Sequence, residues 1–256
     1  MLEDASTWAV LGLFGVTLFA GVVHGALGLG FPVILTPVLA LFLDVRLAIL
    51  WTLLPTASVN LASVLRGHDW GRTVRRYWPL ALSGLLASLV GSAILIRVDP
   101  APFKLVLAAL LLVYLWVSWR GALDMPWTRS RPLLSMLVFG GLAGLAGGTT
   151  NIMVSILIIY ALETRLARDV SVQVFNMSFL CGKLAQMLMF ARAGQLDAAL
   201  LVRTVPVALV ALLGLHAGMR IRERIPVELY RRFVRGLLLL FALLLIGQFV
   251  YELGSG

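Results

Sequence analysis

Two ionisable side chains stand inside long apolar runs: Lys183 in "MSFLCGKLAQMLMF" and His24 in "GVVHGALGLGFP". An ammonium group removed from water needs an anion or a cage of carbonyls. An imidazole can relay a proton or hydrogen-bond a ligand. Lys183 is nine residues from Arg192, about 13 Å along a helix, which is further than snorkelling comfortably reaches. It reads as a substrate ligand, with a structural cation satisfied by carbonyls as the alternative. His24 reads as a proton relay or ligand contact, or as a neutral, hydrogen-bonded packing residue. His216 lies one turn from Arg220 and reads as interfacial. Within the apolar runs there is no Asp or Glu at depth, whereas a cation or metal path would place carboxylates there. The chemistry favours an anion, with no metal and no cofactor expected. The lone Cys181 has no partner for a disulfide or a metal site and reads as a small packing residue.

Two glycine-rich breaks accompany these residues, "GALGLGFP" (Gly25 to Pro32) and "GGTTN" (Gly147 to Asn151). Each is followed by an apolar segment too short to cross a bilayer. Phe31 to Leu43 is 13 residues and Ile152 to Leu162 is 11, so each extends about 20 Å or less against a hydrocarbon core of about 30 Å. Such half-helices, beginning at Phe31-Pro32 and at Asn151, would aim unpaired N–H groups and the positive end of a helix dipole into the protein interior. That arrangement is an anion site. Its candidate ligands are Gly28, Gly30, Phe31, Gly147, Gly148, Thr149, Thr150 and Asn151, with Pro32 suited to a first helical turn. The competing reading is that the glycines only allow helices to pack closely. Asn60, Gln173, Asn176 and Gln186 fall on the third apolar segment after each start and either line a path or act as interhelical glue.

The elements that must position these residues are written in the hydropathy. Of 256 residues, 61% are hydrophobic and 13% charged, and apolar stretches recur from end to end, as in a polytopic membrane protein. Ten segments can be drawn: Trp8 to Gly28, Phe31 to Leu43, Leu47 to Leu65, Tyr77 to Ile96, Phe103 to Trp119, Leu133 to Gly147, Ile152 to Leu162, Val170 to Phe190, Leu200 to Met219 and Gly236 to Tyr251. The acidic start, with Glu3 and Asp4, lacks the basic region of a signal peptide, so no cleavage is expected. The net charge of +9 comes from arginines in short breaks rather than on one face, which argues for topology signals and against nucleic acid. The breaks Arg66–Arg76, Arg120–Arg131 and Arg220–Arg235 are the basic ones and should share the cytoplasmic side. Both termini are then expected to be extracytoplasmic. Trp8, Trp70, Trp78, Trp116, Trp119 and Trp127 sit at segment ends, as an interfacial aromatic belt requires.

The chain also resembles itself. Gly67, Arg76, Pro79, Leu85, Gly91, Arg97 and Lys104 match Gly194, Arg203, Pro206, Leu212, Gly218, Arg224 and Arg231 at an offset of 127. "LDVRLA" (Leu43 to Ala48) matches "LETRLA" (Leu162 to Ala167) at 119, and Gly21 and Gly25 match Gly144 and Gly148 at 123. Five segments per repeat is an odd number, so the second repeat would enter from the opposite side, with the substrate site where broken helices meet. The expected fold is an all-α polytopic membrane protein of two inverted repeats, residues 1–122 and 123–256, each a re-entrant hairpin plus three spanning helices.

The run "GVVHGALGLGFPVILTPVLALF", its echo "GGLAGLAGGTTNIMVSILIIYAL", and the glycine and proline pattern after the basic loop in each half resemble the sulfite exporter TauE/SafE family. The resemblance covers nearly the whole chain. It implies a helical transporter that exports small anions, chiefly sulfite and organosulfonates such as sulfoacetate, across the bacterial inner membrane. "GGTTN" departs from the glycine- and proline-containing version expected in the second half. The implied partners are a small anionic substrate, a coupling proton and the lipid bilayer, with a homodimer also compatible. Two other classes compete: a membrane scaffold or assembly protein without transport, and an intramembrane hydrolase using Ser155 or Ser178 with His24 or His216, for which no G-x-S-x-G context is present. A reporter that fluoresces only in the cytoplasm, fused after Gly256, is expected to stay dark, because the two ends of an even number of crossings share a side. A bright fusion refutes the arginine-based orientation.

Overall fold

A backbone passing through lipid must satisfy its own N–H and C=O groups, and for an open chain only a helix does so. Every element among the described residues of the computed structural model is helical. Those residues are 7–66, 70–221 and 227–255, without the side chains of 227–231, 233 and 253–255. Glu3, Asp4, Gly67 and the basic stretch at Arg222 and Arg224 lie outside them, as does the Arg231 side chain. The helices are α1 Thr7–Leu27, α2 Phe31–Ala40, α3 Val45–Leu65, α4 Trp70–Arg97, α5 Pro102–Arg120, α6 Trp127–Ser130, α7 Pro132–Thr150, α8 Val154–Glu163, α9 Arg168–Arg192, α10 Ala198–Ile221 and α11 Val227–Ser255. Eight are long and apolar enough to cross a membrane, and α2 and α8, at 10 residues each, are not. The chain is a multi-pass membrane protein.

Both broken pairs are terminated by a left-handed residue. Gly28 has φ 82° and its N–H bonds to His24 O at 2.7 Å, ending α1. Asn151 has φ 68° and its N–H bonds to Gly147 O at 2.9 Å, ending α7. Such a residue closes the last turn and turns the chain away. The second break is therefore displaced from its expected place. Gly147, Gly148, Thr149 and Thr150 are helical, and α8 begins at Val154 rather than at Asn151. The Thr149 and Thr150 hydroxyls donate back to Leu145 O and Ala146 O at 2.9 and 2.8 Å, which satisfies last-turn carbonyls and lets α7 run on. Likewise α2 stops at Ala40, short of Leu43, and Asp44 caps α3 by accepting from Leu47 N at 2.9 Å.

Small residues set how the spanning helices dock. Gly21 and Gly25 of α1 lie against Gly214 and Gly218 of α10, and a Cβ on Gly218 would stand 2.1 Å from Val22 O. In the same manner Gly144 and Gly148 of α7 lie against Gly84 and Gly91 of α4, and a Cβ on Gly144 would stand 2.1 Å from Gly84 O. Residue numbers rise together along both pairs, so each pair is parallel. Backbones this close gain dispersion and lose little side-chain entropy, the usual basis of small-xxx-small packing in membranes.

Polar contacts at the ends arrange the short helices. The Gln248 amide donates to Leu41 O at 2.9 Å, Arg46 donates to Leu95 O and Val98 O, both at 2.8 Å, and Lys104 pairs with Glu252 at 2.5 Å. The C-terminal end of α2 thus sits with the ends of α4 and α11 and the start of α5. The C-terminal end of α8 sits instead by the linker after α5, where the buried Glu163 accepts from Leu123 N and, at 2.6 Å, from Met125 N. Of the expected aromatic belt, Trp8, Trp70, Trp78, Trp116 and Trp119 are exposed. Trp127 differs: it stacks on Phe139, with ring centroids 5.9 Å apart.

Gly218→Ala should lower the thermal midpoint of the detergent-purified protein, by about 1–3 kcal/mol of overpacking. Gly12→Ala, with nothing within 4 Å of its new methyl group, should leave it unchanged or slightly raised. Equal midpoints for the two variants refute close backbone docking of α1 on α10.

Candidate functional site

Many of the buried polar groups come from two helices in contact with each other, α3 and α9. On α3, Thr52, Thr56 and Asn60 recur every four residues and all are fully buried, with Ser63 a further turn along. On α9, Gln173, Asn176, Lys183 and Gln186 lie along the opposing face. Burying so many polar groups between apolar helices is costly unless they bond each other or a ligand. Most bond groups on neighbouring elements instead, around two separate cavities, while Thr56 and Asn60 have no partner among the described residues.

The larger cavity, about 410 Å³, opens where α3 ends and α4 and α9 begin, and is lined by His24, Gly28, Ser63, Arg66, Arg72 and Gln173 among others. Its floor is a cross-link between the two halves of the chain. The Phe31 N–H donates to His24 Nδ1 at 3.4 Å, so the ring proton sits on Nε2 and is donated to Asn176 Oδ1 at 3.0 Å, with Ser63 Oγ at 3.2 Å. The Asn176 Nδ2 group donates to Gly28 O and to Val172 O, both at 2.8 Å. One amide therefore holds the histidine, the glycine turn and its own helix together.

The smaller cavity lies where the two breaks approach each other. It is a void of about 10 Å³ bounded by Pro32 at the start of α2, Asn151 and Met153 before α8, Thr56, Lys183 and Gln186. That is room for about one water molecule. Lys183 is 4% exposed and its Nζ donates to Gln186 Oε1, while Gln186 Nε2 donates to Gly147 O at 2.9 Å and Gly148 O at 3.2 Å. Asn151 Nδ2 bridges Thr36 Oγ1 of α2 at 2.8 Å and Thr52 Oγ1 of α3 at 2.9 Å. This amide ties one break to the helix that follows the other.

The candidate ligands are thus divided. Lys183, Asn151 and Gly147 gather at the void, and His24, Asn176 and Gly28 form the vestibule floor. Asn60 lies on α3 between the two. Gly30, φ 117°, shapes the turn, and Phe31 is fully buried with its N–H held by His24. Gly148 packs on Gly91, and Thr149 and Thr150 bond back into α7. The α2 tip has fewer free donors than an open helix start, since His24 takes one N–H and Pro32 has none.

Ser155 Oγ donates to Leu110 O at 2.6 Å and Ser178 Oγ to Val174 O at 2.8 Å, so neither meets a histidine. His216 is exposed, between Leu212 O and Arg66. The sequence reading passed over Thr36, Thr52 and Thr56. The four-residue spacing of Thr52, Thr56 and Asn60 was the signal that placed them on one face.

A sequence model of the family described as Sulfite exporter TauE/SafE matches residues 13–245. The chain belongs to this family. The match spans both glycine-rich breaks and both polar helices. Searches of curated proteins and of solved structures gave no match. TauE/SafE proteins are membrane transporters of the sulfite-exporter type rather than enzymes, so the partners are a small-molecule substrate and the lipid bilayer.

Asn151→Gly keeps the left-handed turn and removes only the bridge to Thr36 and Thr52. It should lower stability by about 1–2 kcal/mol, read as a lower thermal midpoint. An unchanged midpoint refutes the role of this amide in holding the two breaks together.

Proposed function

We propose that the protein exports a small oxyanion, sulfite or an organosulfonate such as sulfoacetate, through a path between α3 and α9. The observation that carries this is a buried lysine at the junction of two broken helices in a TauE/SafE chain, with no carboxylate lining the same void. A desolvated ammonium without a carboxylate attracts an anion, and half-helix dipoles add to that attraction. The ligands in this reading are Lys183, Asn60, Asn151 and Gly147 on one side and Gly28, Gly30 and Asn176 on the other; Thr149, Thr150, Gly148 and Phe31, whose groups are already engaged, position them. His24, which bridges the halves at the floor of the vestibule, is the candidate for carrying a coupling proton.

Alternating access follows if residues 1–122 and 123–256 act as inverted repeats. Reciprocal packing supports this: α1 on α10 is matched by α7 on α4, α2 on α11 by α8 on α5, and α3 meets α9 directly. Arg66 and Arg72 in the vestibule support, by the arginine rule, a cytoplasmic-side entrance in this reading. The vestibule lining has two arginines, Arg66 and Arg72, to one carboxylate, Asp169, an excess that would attract anions to the entrance.

In proteoliposomes loaded with radiolabelled sulfite or a labelled sulfonate, Lys183→Gln should weaken apparent affinity about tenfold or more, the worth of a charged hydrogen bond. Lys183→Arg should retain part of the activity. Flux equal to wild type in Lys183→Gln removes the lysine from the path, and absence of anion flux in the wild type refutes transport.

A further inference from the structure

The α3 face that holds Thr52 continues as Thr56, Asn60 and Ser63, and their helical spacing puts the four side chains in one stripe. The ends of the stripe are engaged: Thr52 bonds Asn151 at 2.9 Å and Ser63 meets His24 at 3.2 Å. The middle is not. Thr56 Oγ1 and both amide atoms of Asn60 are buried with no partner among the described residues. Thr56 borders the void, together with Asn151, Lys183 and Gln186, and Ser63 lines the vestibule. Asn60 lines neither cavity. It is fully buried one helical turn from a residue of each, in the protein that separates them. Native proteins pair buried amides almost without exception, so an amide with neither atom bonded marks a place where something else bonds.

The internal repeat shows what that place corresponds to. An offset of 123 residues relates Gly28 to Asn151, the left-handed residues that end α1 and α7, and also relates His24 to Gly147 and Ser63 to Gln186. The contacts match as well: Ser63 Oγ meets His24 Nε2 in one half, and Gln186 Nε2 donates to Gly147 O in the other. The same offset relates Asn60 to Lys183. Each half thus sets one buried polar side chain a turn before the group that holds its break. In the second half it is an ammonium, and in the first a neutral amide.

We infer that Asn60 is a second, uncharged anion station, which an oxyanion occupies on its way between the vestibule and the Lys183 void. The amide N–H groups take an oxygen of the sulfite or sulfonate group, and the amide oxygen accepts from a water that travels with the ion. The contact of His24 with Asn176 and Ser63 closes the vestibule on this side, so the station fills when that floor parts. The Ser63 and Thr56 hydroxyls lie a turn to either side, and the ion moves along α3 over neutral donors until it reaches the ammonium. Such a step must bind well enough to admit the ion and weakly enough to release it. A second buried cation here would hold the anion between two charges, whereas an amide lowers the barrier without trapping it. The donors engage the oxygens that sulfite and organosulfonates share, so the station serves both.

This inference rests on the transporter reading and concerns the route rather than the choice of substrate. Its test compares sulfite and sulfoacetate flux in proteoliposomes with calorimetric binding of sulfite to the purified protein. Asn60→Leu, close in size and without polar atoms, should cut the maximal flux of both anions about tenfold or more. Its sulfite affinity should stay within about twofold of wild type, since Lys183 is intact, so the loss falls on turnover and not on binding. Its thermal midpoint should equal or exceed that of the wild type, because an unpaired buried amide is lost. Asn60→Ser, which keeps a hydroxyl donor, should recover part of the flux. Wild-type flux in Asn60→Leu overturns the station. A lowered midpoint in that variant shows that the amide has a structural partner, a fixed water included, and overturns it as well. Affinity that falls in step with flux puts Asn60 in the same site as Lys183 and overturns a separate station. These three results leave transport standing, whereas absence of anion flux in the wild type removes the transporter reading and the station with it.

Discussion

In a bilayer a helix can be broken only where protein covers the break, because lipid offers no partner for a freed N–H or C=O. The rest of this structure depends on meeting that constraint twice. After α1 the freed groups are met by His24 and Asn176, which take the Phe31 N–H and the Gly28 carbonyl. After α7 they are met by Thr150 and Gln186, which take the Ile152 N–H and the Gly147 carbonyl. Each set of partners lies partly on the other half of the chain or on the facing polar helix. The breaks therefore cannot form independently of the docking of α9 against both of them.

The glycines contribute to the same end by a different route. Docking of α1 on α10 and of α4 on α7 at backbone contact gives two tight parallel pairs. These pairs hold the long helices and bring the short ones inward. The glycines of the two stretches differ in what they do for the backbone. Gly21, Gly25, Gly144 and Gly148 serve packing, whereas Gly28 and Gly30 adopt left-handed or positive-φ turns that an L residue rarely takes.

The charged groups divide between the two cavities. Arg66 and Arg72 line the vestibule together with Asp169. Beyond the His24–Asn176 floor, Lys183 borders the void among neutral polar groups, Thr56, Asn151 and Gln186. The buried carboxylate Glu163 stays out of this chemistry. It sits at the end of α8 and accepts from Leu123 N and Met125 N in the linker between the halves.

Much of the fold was legible because lipid imposes length and hydropathy directly on the chain. Eight spanning helices and two short ones follow from apolar run length and glycine placement, and the family from the same runs. Sequence also marked Lys183, His24, Asn60 and Asn176 as polar groups in apolar surroundings. It did not reveal that they form two clusters, since which carbonyl or amide a side chain meets is decided by helices far apart in the chain. Asn176 meets Gly28, and Asn151 meets Thr36 and Thr52, across more than half of a repeat's length. Nor did composition show that "GGTT" continues α7. Threonine and glycine are poor helix formers on average, and only the packing of Gly148 on Gly91 and the back-bonding of both hydroxyls keep that turn helical. Local chemistry determined which segments enter the membrane, and tertiary contact alone decided where each break falls and which polar groups remain unpaired.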